Sequence, residues 1–266
     1  KETIKFYYET AAKSLIFDGD GTVIGVSGIA RGNKTVRFFA KNIILASGGF
    51  EGNPEMLSHY VGPQAQFIRP VSRGGHYNRG EGVKMALDAG AAPCGDYGSF
   101  HAQPVDPRSK DMEPVVLNYS YGLLVNDSGV RFTDEAPALV DSTYEAVTRI
   151  IMQQRNGIAY AVFDKKLDDI NNWNATVRSR VPPIEGDTLE ELADKLDVPR
   201  REFLEAVKSF NDSCPDNQKA FDPLTPDGLR TKNLQPQKSN WSRPLNSPPY
   251  RAWPIICSNC FTFGGI

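Results

Sequence analysis

Alternation of apolar and polar residues over the first forty positions predicts short antiparallel strands. Two alternating runs, SLIF and TVIGV, flank Asp-Gly-Asp-Gly, a composition typical of a hairpin turn. The segment TVRFFAKNIILAS predicts a further pair of strands, the second of them at residues 42–47. That second run holds four consecutive apolar residues, as expected for a strand buried on both faces. No helix follows Asp-Gly-Asp-Gly, so this turn is not a phosphate-binding fingerprint.

A pair of glycines, Gly48 and Gly49, ends the apolar run and precedes a predicted helix. Asn53 is a suitable N-cap, Pro54 suits the first helical position, and Glu55 favours the positive end of the helix dipole. A strand, a Gly-Gly turn and a helix in this order bring backbone N–H groups close to a phosphate. An ordinary tight turn between a strand and a helix explains the same residues, and the local pattern leaves both interpretations open.

From about Cys94 the pattern changes to long loops rich in proline and tyrosine, with irregular strands. YGLLVNDSGVRFTDE predicts a hairpin that turns at residues 126–129. DSTYEAVTRIIMQQ predicts a helix with a capping box made by Ser142 and Glu145. GIAYAVFD predicts a buried strand, and DTLEELADKLD with PRREFLEAVKSFN predicts a pair of amphipathic helices.

The last part of the chain combines a long proline-rich loop with a predicted strand, PIICSNCFTF. A long loop without periodicity, such as residues 221–254, is more often a binding surface than filler. Cys257 and Cys260 have the C-x-x-C spacing of redox and zinc sites. Because a strand carries them and no second Cys or His pair lies nearby in the sequence, we expect two neutral thiols in a packed strand.

Composition excludes several classes of function. The chain has 266 residues, of which 40% are hydrophobic and 23% charged, and its formal net charge is −2, so a nucleic-acid partner is not expected. No apolar run approaches the roughly 18 residues of a membrane span, so no transmembrane segment is expected. The sequence carries no secretory signal, which favours the cytoplasm.

Few residues suggest chemistry on local grounds alone. His101 is one of three histidines and lies in an aperiodic segment, GSFHAQPVDP, where a surface or structural role competes with catalysis. Arg131 and Glu135 are spaced as a structural ion pair. Tyr119, Tyr121, Tyr144 and Trp241 suit either a planar-ligand pocket or a core. No metal-ligand spacing is present, and no metal site is predicted.

Taken in order, several segments resemble the fumarate reductase/succinate dehydrogenase flavoproteins. These segments are NIILASGGFEGNPEM, GEGVKMALDAGA, LLVNDSGVRFTDE and FTFGGI. Within that group, HAQPVD around His101, DGLRTKNLQPQKSNW and PPYRAWPIIC are most similar to FAD-dependent tricarballylate dehydrogenase-like proteins.

The resemblance implies a fold class of α/β plus α+β, with a partial, Rossmann-like FAD-binding domain and an inserted capping domain. Residues 1–92 are expected to belong to the FAD-binding domain and residues 93–220 to the capping domain. Residues 221–266 are expected to return to the FAD-binding domain through a long loop and a strand. The family's N-terminal G-x-G-x-x-G segment and its last FAD-binding segment are not recognisable, so the chain is expected to be the interior of a longer flavoprotein.

The resemblance also implies the site residues. The residues that match the family's FAD contacts are Ala12, Ala46, Ser47, Gly48, Gly49, Gly264 and Gly265. His101 would face the substrate and is the first candidate for proton transfer, with Tyr121 and Tyr144 behind it. Glu135, Lys238 and Trp241 join His101 as candidate substrate contacts.

Three departures from the family pattern concern the substrate. The family's proton-donor arginine, expected shortly after Glu135, is replaced within residues 136–140, and its histidine before the T-x-G-G turn is replaced by Phe261. The family's Thr-Glu-x-x-Arg segment is replaced around residues 113–120. Two positive charges that would clamp carboxylates are therefore missing, which weakens the case for a di- or tricarboxylate substrate.

The expected activity is hydride transfer between FAD and a carbon–carbon bond of a small organic acid or a related substrate. The expected partners are that small molecule and an electron-transfer partner for the flavin. Two alternatives stay open: a scaffold domain that does not hold FAD, and a flavoprotein that has lost activity and serves as a binding module.

Overall fold

Three N-terminal strands form a small antiparallel sheet. The computed structural model describes residues 4–216 and 221–266, and its first strands are β1 Thr10–Phe17, β2 Val23–Ala30 and β3 Lys34–Phe39. Between β1 and β2, Asp18 Oδ1 accepts hydrogen bonds from the backbone N–H groups of Asp20 at 3.0 Å and Thr22 at 2.8 Å. The predicted hairpin at Asp-Gly-Asp-Gly is confirmed, with the aspartate side chain closing the turn.

The prediction of a buried strand at residues 42–47 is wrong for the described chain. This run has no strand pairing, and Ile44 is 90% exposed. A strand buried on both faces needs a neighbouring strand, and nothing within residues 4–216 or 221–266 forms a ladder with this run. Apolar composition misassigned it because the pairing partner decides whether an extended segment becomes a strand.

Two short helices follow, and the first of them is the helix predicted after Asn53. Helix α1, Pro54–Tyr60, begins after Asn53, whose side chain accepts hydrogen bonds from the backbone N–H groups of Glu55 and Met56. A two-residue strand, β4 Arg69–Pro70, separates α1 from helix α2, Glu81–Asp88.

A six-stranded sheet forms the larger part of the structure, with one long strand at its centre. Its remaining strands are β5 Phe100–Val105, β6 Leu123–Asn126, β7 Ile158–Phe163, β8 Ile184–Gly186 and β9 Tyr250–Thr262. One edge of β9 pairs with β7 and β4, and the other with β8 and β5. Pro254 lies between the β8 and β5 partners, where that edge of β9 needs no N–H donor.

Helices cover both faces of this sheet. They are α3 Val140–Met152, α4 Leu189–Leu196 and α5 Arg200–Ser213. Leu123 and Val162 pack with Phe203 and the rest of the α4–α5 core. The next residues along the strands, such as Leu124 and Trp253, pack on the opposite face with α3. The alternation follows from the two-residue period of a strand, so the sheet separates two hydrophobic cores.

Several further predictions from the sequence have different outcomes in the structure. The helix pair α4–α5 and the strands β7 and β9 are confirmed. The capping box is wrong, because α3 begins at Val140 and Ser142 Oγ donates to the carbonyl oxygen of Leu139 at 2.8 Å. The division at residues 92 and 220 stays a prediction.

Within the described chain, no helix is long and apolar enough to cross a membrane.

A buried ionic cluster fixes the long proline-rich loop to the sheet. Arg131 binds Glu135 through two hydrogen bonds, Nε to Oε1 at 2.8 Å and Nη2 to Oε2 at 2.7 Å. Glu135 Oε1 also accepts from the backbone N–H of Leu124 at 3.0 Å. Lys238 is fully buried and donates to the carbonyl oxygen of Gly122, and burial lowers its pKa to about 8. Two cations thus depend on one buried carboxylate.

We expect Glu135→Gln to destabilise the fold by about 3 kcal/mol, because it leaves the buried Arg131 without its paired carboxylate and removes the larger of the two negative charges that support the buried Lys238. Urea-induced unfolding measures the change in the free energy of unfolding. The matched control is Asp212→Asn, which removes the carboxylate from an exposed pair with Lys208 and should leave stability unchanged. Equal effects of the two variants would contradict the role assigned to Glu135.

Candidate active site

His101 lies on β5 and is held by two consecutive residues of α3. Its Nε2 is 3.1 Å from the Tyr144 hydroxyl oxygen, and its Nδ1 is 3.2 Å from Glu145 Oε2. The packing of α3 across β5 places both side chains against one imidazole ring. A carboxylate only accepts hydrogen bonds in its ionised form, so Glu145 favours the tautomer with the proton on Nδ1. Nε2 then accepts the hydrogen bond of the Tyr144 hydroxyl.

Arg149 balances the charge of Glu145. Its Nη2 is 3.0 Å from Glu145 Oε1, four residues earlier on α3, and it also donates to the carbonyl oxygen of Phe100. The guanidinium carbon lies 4.6 Å from the centre of the Phe100 ring. Arg149 is therefore committed to contacts within the protein.

Phe261, near the end of β9, covers one face of His101. The two ring centres are 5.2 Å apart with an angle of 16° between the planes. Phe263 packs against Phe261 at 5.6 Å, and both phenylalanines stay partly exposed, at 51% for Phe261 and 43% for Phe263. We call His101, Tyr144, Glu145, Phe261 and Phe263 the His101 cluster.

The hydroxyl and thiol groups of this region are neutral at physiological pH. Burial, followed by the Glu145 carboxylate, raises the pKa of Tyr144. Burial also raises the pKa of both Cys257 and Cys260 to about 12. The prediction of two neutral thiols in a packed strand is confirmed. No group of three metal-ligating side chains occurs in the part of the chain that the structure describes.

The predicted cofactor turn meets the end of β9. The backbone N–H of Phe50 donates to Thr262 Oγ1 at 3.2 Å, and a Cβ on Gly49 would lie 2.3 Å from that oxygen. Gly48 has a φ of +76°, which favours glycine. Since Thr262 follows Phe261 directly, the turn and the His101 cluster share one short piece of β9.

The Gly264–Gly265 turn is fixed by Tyr97. The Tyr97 hydroxyl donates to the carbonyl oxygen of Gly265 at 2.6 Å, and a Cβ on Gly264 would collide with the Tyr97 ring. Gly265 and Cys94 also exchange backbone hydrogen bonds of 2.9 Å in each direction. Gly264 and Gly265 therefore keep a defined position relative to Cys94 and Tyr97.

The residues at this junction fit a flavin nucleotide. Residues 42–48 make no backbone hydrogen bond to any other described residue, and Ala46, Ser47 and Gly48 are exposed. Such free N–H and C=O groups beside apolar side chains suit a ligand with polar edges and a flat apolar face. Ala12 lies apart on β1, where it borders a cavity of about 200 Å³ in the small sheet.

Other predicted site residues lie away from His101. Glu135, Lys238 and Trp241 are 0%, 0% and 1% exposed and hold the proline-rich loop, so their geometry offers no support for substrate contact. Tyr121 packs its ring edge-on against Phe221 and Trp241, and among the described residues no hydrogen bond joins it to His101. These assignments stay predictions without a supporting contact.

Sequence reasoning missed the roles of Glu145 and Arg149. Glu145 was assigned to a capping box, although its spacing of four residues from Arg149 is also that of a helical ion pair. That spacing is a signal for the pair, but nothing in it points to His101, which lies 44 residues away.

The family profile of the FAD binding domain matches residues 1–266. The chain belongs to this family. FAD is the family's cofactor, and the predicted resemblance to FAD-dependent fumarate reductase flavoproteins is confirmed. The closer likeness to tricarballylate dehydrogenase-like proteins stays a prediction.

Relatives within the family include enzymes of known activity. The NADH:acrylate oxidoreductase of Vibrio harveyi is 28% identical over 78% of this chain and 21% of its own length. The vinyl phenol reductase of Lactiplantibacillus plantarum is 24% identical over 81% of this chain and 49% of its own length. The chain thus spans between about a fifth and a half of the length of these relatives.

A solved structure shares the fold. The open conformation of a flavocytochrome c3 fumarate reductase superimposes with a TM-score of 0.73 at 21% identity, covering 97% of this chain and 42% of the other. This likeness and the mixed sheet and helix architecture confirm the predicted fold class of an FAD-binding flavoprotein.

We expect Gly49→Ala to weaken FAD binding about tenfold, which corresponds to ~1.4 kcal/mol, because the new Cβ would displace Thr262 and disturb the turn. Flavin fluorescence of the full-length protein titrated with FAD measures the affinity. Gly19→Ala is the control, since no atom lies within 4 Å of its Cβ position. Unchanged affinity in Gly49→Ala would separate this turn from the cofactor.

Proposed function

We propose that this chain is part of an FAD-dependent oxidoreductase that reduces or oxidises a carbon–carbon bond in a small organic acid or a related substrate. Membership of the FAD binding domain family supports the cofactor. Two relatives are named for acrylate and vinyl phenol, both of which contain a vinyl group. These names support a carbon–carbon double bond as the reacting group, and the substrate of this chain has to be inferred from its own site.

One observation carries the proposal: the His101 cluster and the Ser47–Gly49 turn meet at Phe261–Thr262 on β9. A reductase of this kind needs a proton-transfer group beside the place where a flavin binds. The shared strand end brings a hydrogen-bonded tyrosine and histidine to the turn that matches the family's FAD contacts.

Residues Ala46–Gly49 and Gly264–Gly265 would hold the flavin. When bound, FAD supplies or accepts the hydride. The protein's own contribution is the proton. Tyr144 keeps its hydroxyl proton at neutral pH because burial and Glu145 raise its pKa. It is therefore the group that can donate a proton to a substrate carbon.

His101 connects Tyr144 to the rest of the cluster. After Tyr144 has donated its proton, His101 takes up a proton from solvent at Nε2 and passes it to the Tyr144 oxygen across the 3.1 Å contact. Glu145 holds Nδ1 of the same ring and stabilises the imidazolium while Nε2 carries a proton. Arg149 fixes Glu145 in turn, so three consecutive contacts orient the donor. In the oxidative direction the same atoms take the proton from the substrate.

A non-catalytic domain is the second candidate. It is favoured by the commitment of Arg149 to Glu145 and the Phe100 carbonyl, which leaves that guanidinium unable to activate a carboxylate substrate. A domain of this kind would bind flavin without turnover. Kinetics of site variants separate the two candidates.

We expect Tyr144→Phe and His101→Gln each to lower kcat by 10²–10⁴-fold in the full-length, FAD-loaded protein, because each removes a proton-transfer group. Steady-state reduction of acrylate with reduced methyl viologen measures kcat, and the flavin absorption spectrum verifies cofactor content. Tyr8→Phe, at an exposed tyrosine, is the matched control and should keep full activity. If both cluster variants retain wild-type turnover, the proton path is wrong; if the wild type reduces no alkene, the non-catalytic candidate stands.

A further inference from the structure

We propose that the His101 cluster selects a flat, uncharged or aromatic substrate group and disfavours di- and tricarboxylates. This inference rests on the proposed function and names the substrate class for the same site. It is carried by the ring geometry of the cluster, by the charged groups around it and by the contacts that already occupy Arg149.

The rings of the cluster form a flat apolar surface. Phe261 lies nearly parallel to His101, and Phe263 meets Phe261 at 64°, so the three rings line a corner with apolar faces. Phe261 leaves about half of its surface open. A planar group entering this corner gains offset-stacked or edge-on contacts, the arrangements that aromatic rings prefer.

Three acidic side chains act on the end of β9. The carboxylates of Glu113, Glu145 and Glu51 each raise the pKa of the Cys260 thiol, after burial. Glu145 acts on Tyr144 in the same direction. Because Arg149 and Arg178 are already paired with Glu145 and Glu113, a substrate with two or three carboxylates would have to compete with these side chains for a cation, whereas a neutral group would not.

Arg149 is already bound within the protein and is not free to bind a substrate carboxylate. Arg149 is paired with Glu145 at 3.0 Å, donates to the Phe100 carbonyl oxygen and lies over the Phe100 ring. Freeing it for a substrate carboxylate would leave Glu145 unpaired beside His101. The Tyr144 hydroxyl, 3.1 Å from His101 Nε2, can form a hydrogen bond with a single phenol, alcohol or carbonyl oxygen on the substrate.

Two non-reducible probes test the preference without turnover. Isothermal titration of the full-length, FAD-loaded protein compares 4-ethylphenol, which is neutral and aromatic, with succinate, which carries two carboxylates. We expect 4-ethylphenol to bind at least tenfold more tightly. Equal or tighter binding of succinate would overturn the inference.

Substitution of Phe261 tests whether the His101 cluster causes the preference for a neutral aromatic ligand. We expect Phe261→Ala to weaken 4-ethylphenol binding about tenfold and to leave succinate binding unchanged. Phe39→Ala, on an exposed face of β3, is the matched control and should change neither. An unchanged affinity for 4-ethylphenol in Phe261→Ala would remove Phe261 from the binding surface and overturn the inference.

Turnover of the corresponding alkenes, 4-vinylphenol and fumarate, distinguishes the two proposals. Reduction of 4-vinylphenol at a kcat/KM at least tenfold above that of fumarate supports both. Faster reduction of fumarate overturns the substrate class but keeps the oxidoreductase. Tight 4-ethylphenol binding that depends on Phe261, with neither alkene reduced, supports the binding preference and overturns the proposed activity.

Discussion

The backbone ladder of β9 is the interaction on which the rest of the structure depends. One edge of this strand pairs with β7 over Arg251–Phe163 through Ile256–Ile158, and the opposite edge pairs with β5 from Ile256 to Thr262. Its first half therefore lies between the two hydrophobic cores, while its end carries Phe261 and Thr262 out to the Ser47–Gly49 turn. Because a ladder fixes register residue by residue, the position of the His101 cluster follows from the packing of a core some distance away.

Buried polar contacts hold the long loop that precedes β9 against the sheet. Glu135, Arg131 and Lys238 lose their hydration, and their hydrogen bonds to each other and to backbone groups compensate for that loss. A hydrophobic anchor would hold the loop equally well, but charged partners allow few alternative pairings. The contacts of Arg131, Glu135 and Lys238 thus fix the conformation of the loop, and this conformation directs the chain into β9.

Local patterns predicted what local interactions determine. Asp-Gly-Asp-Gly, the Asn53 cap and the α4–α5 pair were correct because their decisive contacts lie within a few residues of sequence. The strand at residues 42–47 and the Ser142 capping box were wrong because pairing partners and helix starts depend on distant residues. The contact of His101 with Glu145, across 44 residues, has no local signal at all. His101 and Tyr144 were candidates from the sequence, but only the fold showed their contact with each other and with Glu145.

A phenylalanine at position 261, where the family pattern has a histidine, changes both the charge and the packing beside His101. The family's histidine before the T-x-G-G turn offers a charge, whereas a phenylalanine offers a ring face and no hydrogen bond. Here that ring lies on His101, which already holds a carboxylate, so the imidazole is shielded on one side and paired on its edge. Shielding lowers the local dielectric, which strengthens the His101–Glu145 contact and the Tyr144 hydrogen bond together. The phenylalanine therefore supplies no charge for a carboxylate, and its packing on His101 agrees with the proposal that Tyr144 is the proton donor.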